Sequence, residues 1–328
     1  MRAMTRILAG GVAAVALMMT ASAGFAQSKV ELIYSDTVPE TDVRTKTLRE
    51  AFGACLGDGF DFKSYHGATL FKQGTELTAM QRGNLDMASL AIFDFYNQVP
   101  HTTILGTAYL FRSYDHMRSV MDGDILKDLY AEIEEKAQVK ILANPYIGTR
   151  HVNLRGTKKT MTPADLAGVK LRMPGGEGWQ FVGEALGANP TPLAFTEVYT
   201  ALQTSAIDGQ DNPLPADKAM KFYEVTNQIV LTGHLIANNQ FAISLSKWNS
   251  LDAGQQAKVQ ECATAFQNAL DKVTLDQEAE LVEFFKGQGL QVYEPDKDAF
   301  RNHVLEVYKK SKYSADWPEG LLDKINAL

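Results

Sequence analysis

"VKLRMPGGEGW", residues 169–179, alternates apolar Val169, Leu171 and Met173 with cationic Lys170 and Arg172, then stops at Pro174, Gly175 and Gly176. A period of two is that of a β-strand with one apolar face. Just upstream, "TPADLAG" reads as a short helical turn. Thr162 is its N-cap, Pro163 fits the first helical position, Asp165 completes a capping box and Gly168 ends it. Downstream, a helix is expected from about Glu177 to Leu186. Helical turn, strand and helix in so short a stretch point to α/β architecture. Ligands in such folds dock at the carboxyl ends of strands, and Arg172 lies at such an end. A strand-end arginine can equally pair with a structural acid.

The alternation of strand and helix extends in both directions. "KVELIYSD" reads as a strand, "TDVRTKTLREAFGACL" as an amphipathic helix and "FDFKSYHG" as a strand. "GTELTAMQRGNLDMASLAI" reads as helix, glycine stop at Gly83, then strand. "YDHMRSVMDGDILKDLYAEIEEKAQ" is helical with a break near Asp122–Gly123, and "VKILANPYIG" and "HVNLRG" are strands. Further on, "NPTPLAF" is extended. "FTEVYTALQTS" puts Phe195, Val198, Tyr199 and Leu202 on one helical face, and "AIDGQDN" is a strand. "LTGHLIANNQFAISLSKW" is one long extended segment. Ser250 can cap a long helix over residues 251–285; "LQVYEP" and a C-terminal helical region follow. The pattern predicts α/β architecture with largely parallel sheets.

With 328 residues, 45% of them hydrophobic and 22% charged, the chain can build two domains with real cores. Its formal charge of −7 argues against nucleic acid as a partner, which needs a basic face. The N-terminus has the layout of a secretory signal peptide: Arg2 and Arg6, an apolar run from Ile7 to Met19, then Ala21, Ala23, Gly24 and Ala26. Cleavage is expected after Ala26, with Ala23 the alternative site. The run is too short for a membrane span, which needs about 20 apolar residues. Removal of residues 1–26 takes away two arginines and no acid, leaving a more acidic, exported, soluble chain.

Cys55 and Cys262 belong to no C-x-x-C motif. Leu48, Ala51, Phe52 and Cys55 share one helical stripe; Val259, Cys262, Phe266, Leu270 and Val273 share another. Both thiols therefore face a core. An oxidising compartment favours a disulfide if the two helices meet; two buried free thiols are the alternative.

Motifs of catalysis are missing. The sequence has no Walker loop, no G-x-G-x-x-G, no H-E-x-x-H and no G-x-S-x-G. The six histidines are scattered, without an i, i+4 pair. Nothing calls for a cofactor or a metal, so a binding protein is favoured over an enzyme.

The segments "GTRHVNLRG", "TPADLAGVKLRMP" and "LGANPTPLAFTEVYTALQTSAIDGQDNP" resemble the solute-binding proteins of tripartite ATP-independent periplasmic (TRAP) transporters, the DctP-like group. "QRGNLDMA", "AYLFRSYDH" and "LTGHLIANNQFAISLSKWNSL" carry the resemblance across nearly the whole mature chain. It implies two α/β domains with a ligand cleft between them, chain crossings between the domains, and a long helix bracing both. The implied division is residues 27–148 plus about 238–277 for the first domain and 149–237 plus about 278–305 for the second. Residues 306–328 form a C-terminal helical region. The implied role is capture of a small organic carboxylate in the periplasm, by a monomer, and delivery to ion-gradient-driven TRAP permease subunits.

The resemblance also implies contacts. Its substrate-pairing arginine falls on Arg172, and the asparagine of its "DGQ-acid-NP" motif on Asn212. A second cleft arginine falls on Arg150, an aromatic on Phe195 and a polar position on His234. A guanidinium offers two parallel donors that match a carboxylate's two oxygens. From the residues themselves, Trp179 is either a cleft wall or helix packing, and Phe93 either lines the cleft or belongs to a core. Asp36 and Glu76 are candidates from the first domain for reading hydroxyl or amine groups. The aromatic content leans towards a monocarboxylate with a bulky or apolar body. A chemosensory partner on the same fold, or a secreted enzyme on a two-lobed scaffold, are the competing functions.

Overall fold

The computed structural model describes residues 29–328, so the expected signal peptide lies outside the described residues. The strands are β1 (Val30–Ser35), β2 (Phe60–Tyr65), β3 (Met87–Leu90), β4 (Val139–Ala143), β5 (Tyr146–Leu154), β6 (Lys170–Met173), β7 (Asn189–Pro192), β8 (Gly209–Pro213), β9 (Gln228–Asn238), β10 (Gln240–Ser244) and β11 (Gln291–Tyr293). They form one sheet of order β2-β1-β3-β10-β4 and a second of order β11-β9-β5-β8-β6-β7.

Both sheets are mixed, which corrects the expectation of largely parallel ones. In the first, β10 runs antiparallel to β3 and β4. In the second, β5 runs antiparallel to β8 and β9. The cause is the way the chain changes sheets. "VKILANPYIG" is not one strand: it breaks at Asn144–Pro145, ending β4 in the first sheet and starting β5 in the second. The long extended segment likewise divides at Asn239 between β9 and β10. A strand that runs straight on into another sheet enters it without the helical crossover that parallel neighbours require.

The 35-residue helix Ala253–Gly287 lies along both lobes. Its first half gives Val259, Cys262, Phe266 and Leu270 to a core with Leu32, Phe52 and Phe241. Its last turns give Leu281 and Phe285 to a second core with Leu214, Ile229 and Leu290. Between them, Asp271 accepts from the Tyr146 N–H at 2.6 Å, and Glu278 from the Thr149 N–H at 2.5 Å. The helix is thus pinned to the start of β5. Its N-cap is Asp252 rather than Ser250: Asp252 Oδ1 accepts from the Gln255 N–H at 2.8 Å, and Gln255 Oε1 accepts from the Asp252 N–H at 3.0 Å. Ser250 instead closes the preceding short helix, its hydroxyl donating to the Lys247 carbonyl.

Cys55 and Cys262 are joined in a disulfide, with Cα atoms 5.5 Å apart. The C-terminal helix Leu321–Ala327 returns to the first lobe, where His116 Nε2 meets the Ile325 carbonyl at 2.8 Å. Among the described residues no helix is long and apolar enough to cross a membrane.

Candidate functional site

Between the two sheets lies a cavity of about 410 Å³. Arg150, Arg172, Trp179, Phe195 and Asn212 line it from the second lobe, and Asp36, Glu76 and Phe93 from the first. Eight of the nine contacts expected from sequence therefore face one space. His234 does not. Its ring is fully buried behind Asp211, with Nε2 3.1 Å from Asp211 Oδ2 and Nδ1 2.8 Å from Thr232 Oγ1. Burial holds its pKa below the ordinary imidazole value, so the neutral ring supports Asp211 instead of meeting a ligand.

Arg172 sits on β6, where Lys170 is exposed but Leu171, Arg172 and Met173 are all buried. The alternation is intact, but the face that would meet water is covered by the first lobe. Arg172 is 1% exposed. Its Nε donates to the Leu193 carbonyl at 2.8 Å and its Nη2 to Gln73 Oε1 at 3.1 Å. It has no carboxylate partner within ion-pair distance among the described residues. Burial pushes its pKa down to about 9; Asp211 opposes this and Arg150 adds to it. Since a guanidinium keeps its proton, the downward pull expresses an unmet demand for an anion.

Arg150 is bound differently. Its Nε donates to Asp211 Oδ2 at 2.7 Å, and its Nη2 to Asp211 Oδ1 at 3.0 Å and to the Asp211 carbonyl at 2.6 Å. Its guanidinium carbon lies 4.7 Å from the centre of the Trp179 ring, within cation–π range. Burial alone would raise the Asp211 pKa, but the Arg150 charge and the hydrogen bonds from His234 and Arg150 hold it below the carboxylate range. Arg150 therefore reaches the cavity already neutralised.

Asn212 is oriented by a chain of amides. Gln210 Nε2 donates to Asp217 Oδ1 at 2.8 Å and to Asn153 Oδ1 at 3.2 Å. That turns the Gln210 carbonyl towards Asn212, whose Nδ2 donates to it. One N–H and the Oδ1 of Asn212 remain for the cavity.

The first lobe supplies a polar, acid-bearing wall. Asp36 accepts from Tyr34 Oη at 3.0 Å and from the Val38 N–H at 3.2 Å, and lies 3.0 Å from His66 Nδ1. Glu76 is 6% exposed and has no cationic partner among the described residues; burial, aided by Asp94, raises its pKa to about 7. Asp94 is raised by burial to about 6, against the Ala91 N–H that it accepts at 2.8 Å. Phe93 and Trp179 meet edge to face with centroids 4.9 Å apart. Much of their apolar surface is thus spent on each other. Beside this pair the first lobe presents the polar side chains of Asp36, Gln73, Glu76, Asp94, Asn97 and Asn239 to the cavity.

Sequence reasoning did not find Gln73, Asp94, Gln210 or Asp211 at this site. Gln73 lies in a turn and Asp94 in a single short 3-10 helix, Ile92–Phe95, neither long enough to show periodicity, and Asp211 pairs with a residue 61 positions away. "DGQDNP" was the one signal for Gln210 and Asp211, as neighbours of Asn212.

Residues 35–314 match the family model DctP, described as bacterial extracellular solute-binding protein, family 7. The chain belongs to the DctP family. This DctP-family chain is 31% identical over 264 residues to the sialic acid-binding periplasmic protein of Vibrio cholerae, covering 80% of the chain and 81% of that protein. A TRAP periplasmic solute-binding protein from Roseobacter denitrificans, crystallised with bound 3-deoxy-D-manno-oct-2-ulosonic acid, is 45% identical. It superposes with a TM-score of 0.89, over 91% of this chain and 99% of that one. A second from the same organism, with bound L-galactonate, is 27% identical, with a TM-score of 0.81 over 91% and 98% of the two chains. The DctP-family fold is thus a two-domain TRAP solute-binding fold with a long bracing helix.

Proposed function

We propose that this protein is an exported, periplasmic receptor for a polyhydroxylated sugar acid, which it hands to a TRAP membrane permease. The observation that carries the reading is Arg172: a buried guanidinium facing a cavity of about 410 Å³ without a carboxylate of its own. A ligand carboxylate supplies that missing charge through two parallel hydrogen bonds, with Asn212 as a neutral donor beside it. Asp36, Glu76, Asp94 and Asn239 on the facing side accept from hydroxyl groups. The ligand is therefore anionic at one end and hydroxyl-bearing along its body, as are the acids bound by the relatives. The 45% identity with the Roseobacter denitrificans protein favours an ulosonic acid of that size. In this reading residues 27–148 with about 238–277 form the lobe carrying Asp36, Glu76 and Phe93. Residues 149–237 with about 278–305 form the lobe carrying the arginines.

The N-terminal sequence of secreted protein tests export. Thermal shift across a panel of sugar acids, dicarboxylates and aromatic acids, followed by calorimetry, tests the ligand class. A true ligand at 100 times its dissociation constant stabilises by about 2.7 kcal/mol and yields no product. Stabilisation by dicarboxylates or aromatic acids alone would overturn the sugar-acid reading.

A further inference from the structure

The polar contact between Gln73 and Arg172 joins the two sides of the cavity, and it uses the residue that anchors the ligand. Gln73 lies in the turn Lys72–Thr75, where the Thr75 N–H returns to the Lys72 carbonyl at 3.0 Å and Gly74 adopts a φ of 83°. A left-handed third residue is what lets so tight a turn form, and glycine takes it without strain. The turn directs Gln73 across the cavity. There its Oε1 accepts from Arg172 Nη2 at 3.1 Å and from the Phe195 N–H at 2.8 Å.

Two consequences follow from donor counting. Arg172 has its Nε committed to Leu193 and one Nη2 hydrogen to Gln73, so a carboxylate must approach end-on, across Nη1 and the other Nη2 hydrogen. The two bonds to Oε1 also fix the plane of the Gln73 amide. Its Nε2 has no acceptor among the described residues, and Gln73 lines the cavity. A neutral amide is the right group here. It accepts from Arg172 without neutralising it, whereas a carboxylate would satisfy the guanidinium and leave the ligand nothing to pair with.

Resting on the sugar-acid reading, we propose that Gln73 is a specificity-determining contact supplied from the first lobe: with its Oε1 held by Arg172 and the Phe195 N–H, its amide N–H donates to the ligand anchored on Arg172. Gln73 then contributes after capture, once the lobes have met. Its effect falls on ligand retention, the usual place where related complexes differ.

The test uses the mature protein with Trp248 and Trp317 replaced by Phe, so that Trp179 fluorescence is followed by stopped flow. Probes are 3-deoxy-D-manno-oct-2-ulosonate, L-galactonate and D-galacturonate. Gln73→Ala is expected to raise the off-rate about tenfold with an on-rate within about twofold of wild type and an unchanged ligand-free melting temperature. Gln73→Glu is expected to weaken binding at pH 8 by more than about 100-fold; because pairing with Arg172 holds the new carboxyl below its ordinary range, the loss should persist relative to wild type down to about pH 4. Asp36, Arg44, Glu76, Asp94, Arg150 and Arg172 face the same space, so each ratio is taken against wild type at the same pH. If wild type binds a probe while the alanine variant keeps its off-rate, or the glutamate variant binds normally at pH 8, the proposal for Gln73 falls alone. If wild type binds no probe, the sugar-acid reading falls and takes this one with it.

Discussion

Arg150 and Asp211 are locked in a two-point ion pair, Nε to Oδ2 at 2.7 Å and Nη2 to Oδ1 at 3.0 Å, with both side chains almost wholly buried. Arg172 faces the same cavity without such a partner. Two arginines that look alike in sequence therefore differ in charge balance: Arg150 is matched by a carboxylate within the protein, and Arg172 has none within ion-pair distance among the described residues.

Their alanine variants should separate cleanly. Arg150→Ala leaves Asp211 buried and unpaired, and is expected to lower stability by about 3–5 kcal/mol. Arg172→Ala removes an unbalanced buried charge; it should leave the ligand-free melting temperature unchanged or higher and abolish measurable binding. Arg172→Lys should also fail to bind, because an ammonium cannot reproduce the planar two-donor contact. Chemical denaturation and calorimetry check both halves. A lysine variant of near-normal affinity would disprove the two-donor picture.

Acidity should stabilise the ligand-free protein over a defined range. Burial raises Glu76 from 4.5 to about 7 and Asp94 from 3.8 to about 6. Between the unfolded and folded pKa values the native state holds more protons than the unfolded chain, so stability falls as pH rises. The contribution is complete below about pH 4 and lost by about pH 7, and for Glu76 it is on the order of 3 kcal/mol. Glu76→Gln should flatten the profile in urea titrations run from pH 4 to 8. An equally steep profile in that variant would show that Glu76 is not its source.

Reduction of the Cys55–Cys262 disulfide opens a loop spanning a sequence separation of 207. Chain-entropy reasoning puts the loss at about 5 kcal/mol, less whatever strain the native bond carries. Melting with and without reductant measures it. Two titratable thiols in unreduced, denatured protein recovered from an oxidising compartment would exclude the bond.

The Phe93 ring lies between two glycines, one in each lobe. A Cβ on Gly178 would stand 2.3 Å from Phe93 Cδ1, and one on Gly106 2.2 Å from Phe93 Cζ, so the ring has no room to retreat. Gly178→Ala should therefore raise helix stability by up to about 1 kcal/mol while opposing closure. An affinity loss of about 10–100-fold is expected, as the binding-competent population shrinks. Solution scattering at saturating ligand should show a larger radius of gyration than wild type. Unchanged affinity would mean that the lobes do not close on this contact.

What the sequence made legible follows periodicity. Alternation in residues 169–173 places β6 and puts Arg172 near its end, and the stripes around Cys55 and Cys262 turn each thiol towards a core; that the two share one core is shown by the structure. What it concealed depends on contacts between distant segments. The apolar run through Asn144 and Pro145 reads as one strand because nothing local records a change of sheet. His234 sits in a motif of polar residues, yet tertiary packing buries it behind Asp211. Gln73 is a polar residue in a glycine turn, and only the opposite lobe gives it a partner. Ser250 was a reasonable cap, displaced by Asp252 because the latter also gains Gln255 in a reciprocal pair.

The two places where the chain runs directly from a strand of one sheet into a strand of the other touch each other: the Asn239 N–H donates to the Pro145 carbonyl at 3.2 Å. The neighbouring Asn144 N–H is held by Gln267 of the long helix at 2.7 Å. Two adjacent ribbons tied to a common strut behave like the leaves of a single butt hinge. Such a joint would resist sliding and shear, and leave rotation about one line as the soft coordinate. We therefore expect the open forms to lie along one arc, so that spin-label distances across the cavity mouth vary together as ligand is titrated. Independent variation of two such distances would show a looser joint. If travel is confined to one arc, a small gain in binding energy at the mouth would move the whole second lobe through a reproducible path. The surface it presents on closing is then the same each time.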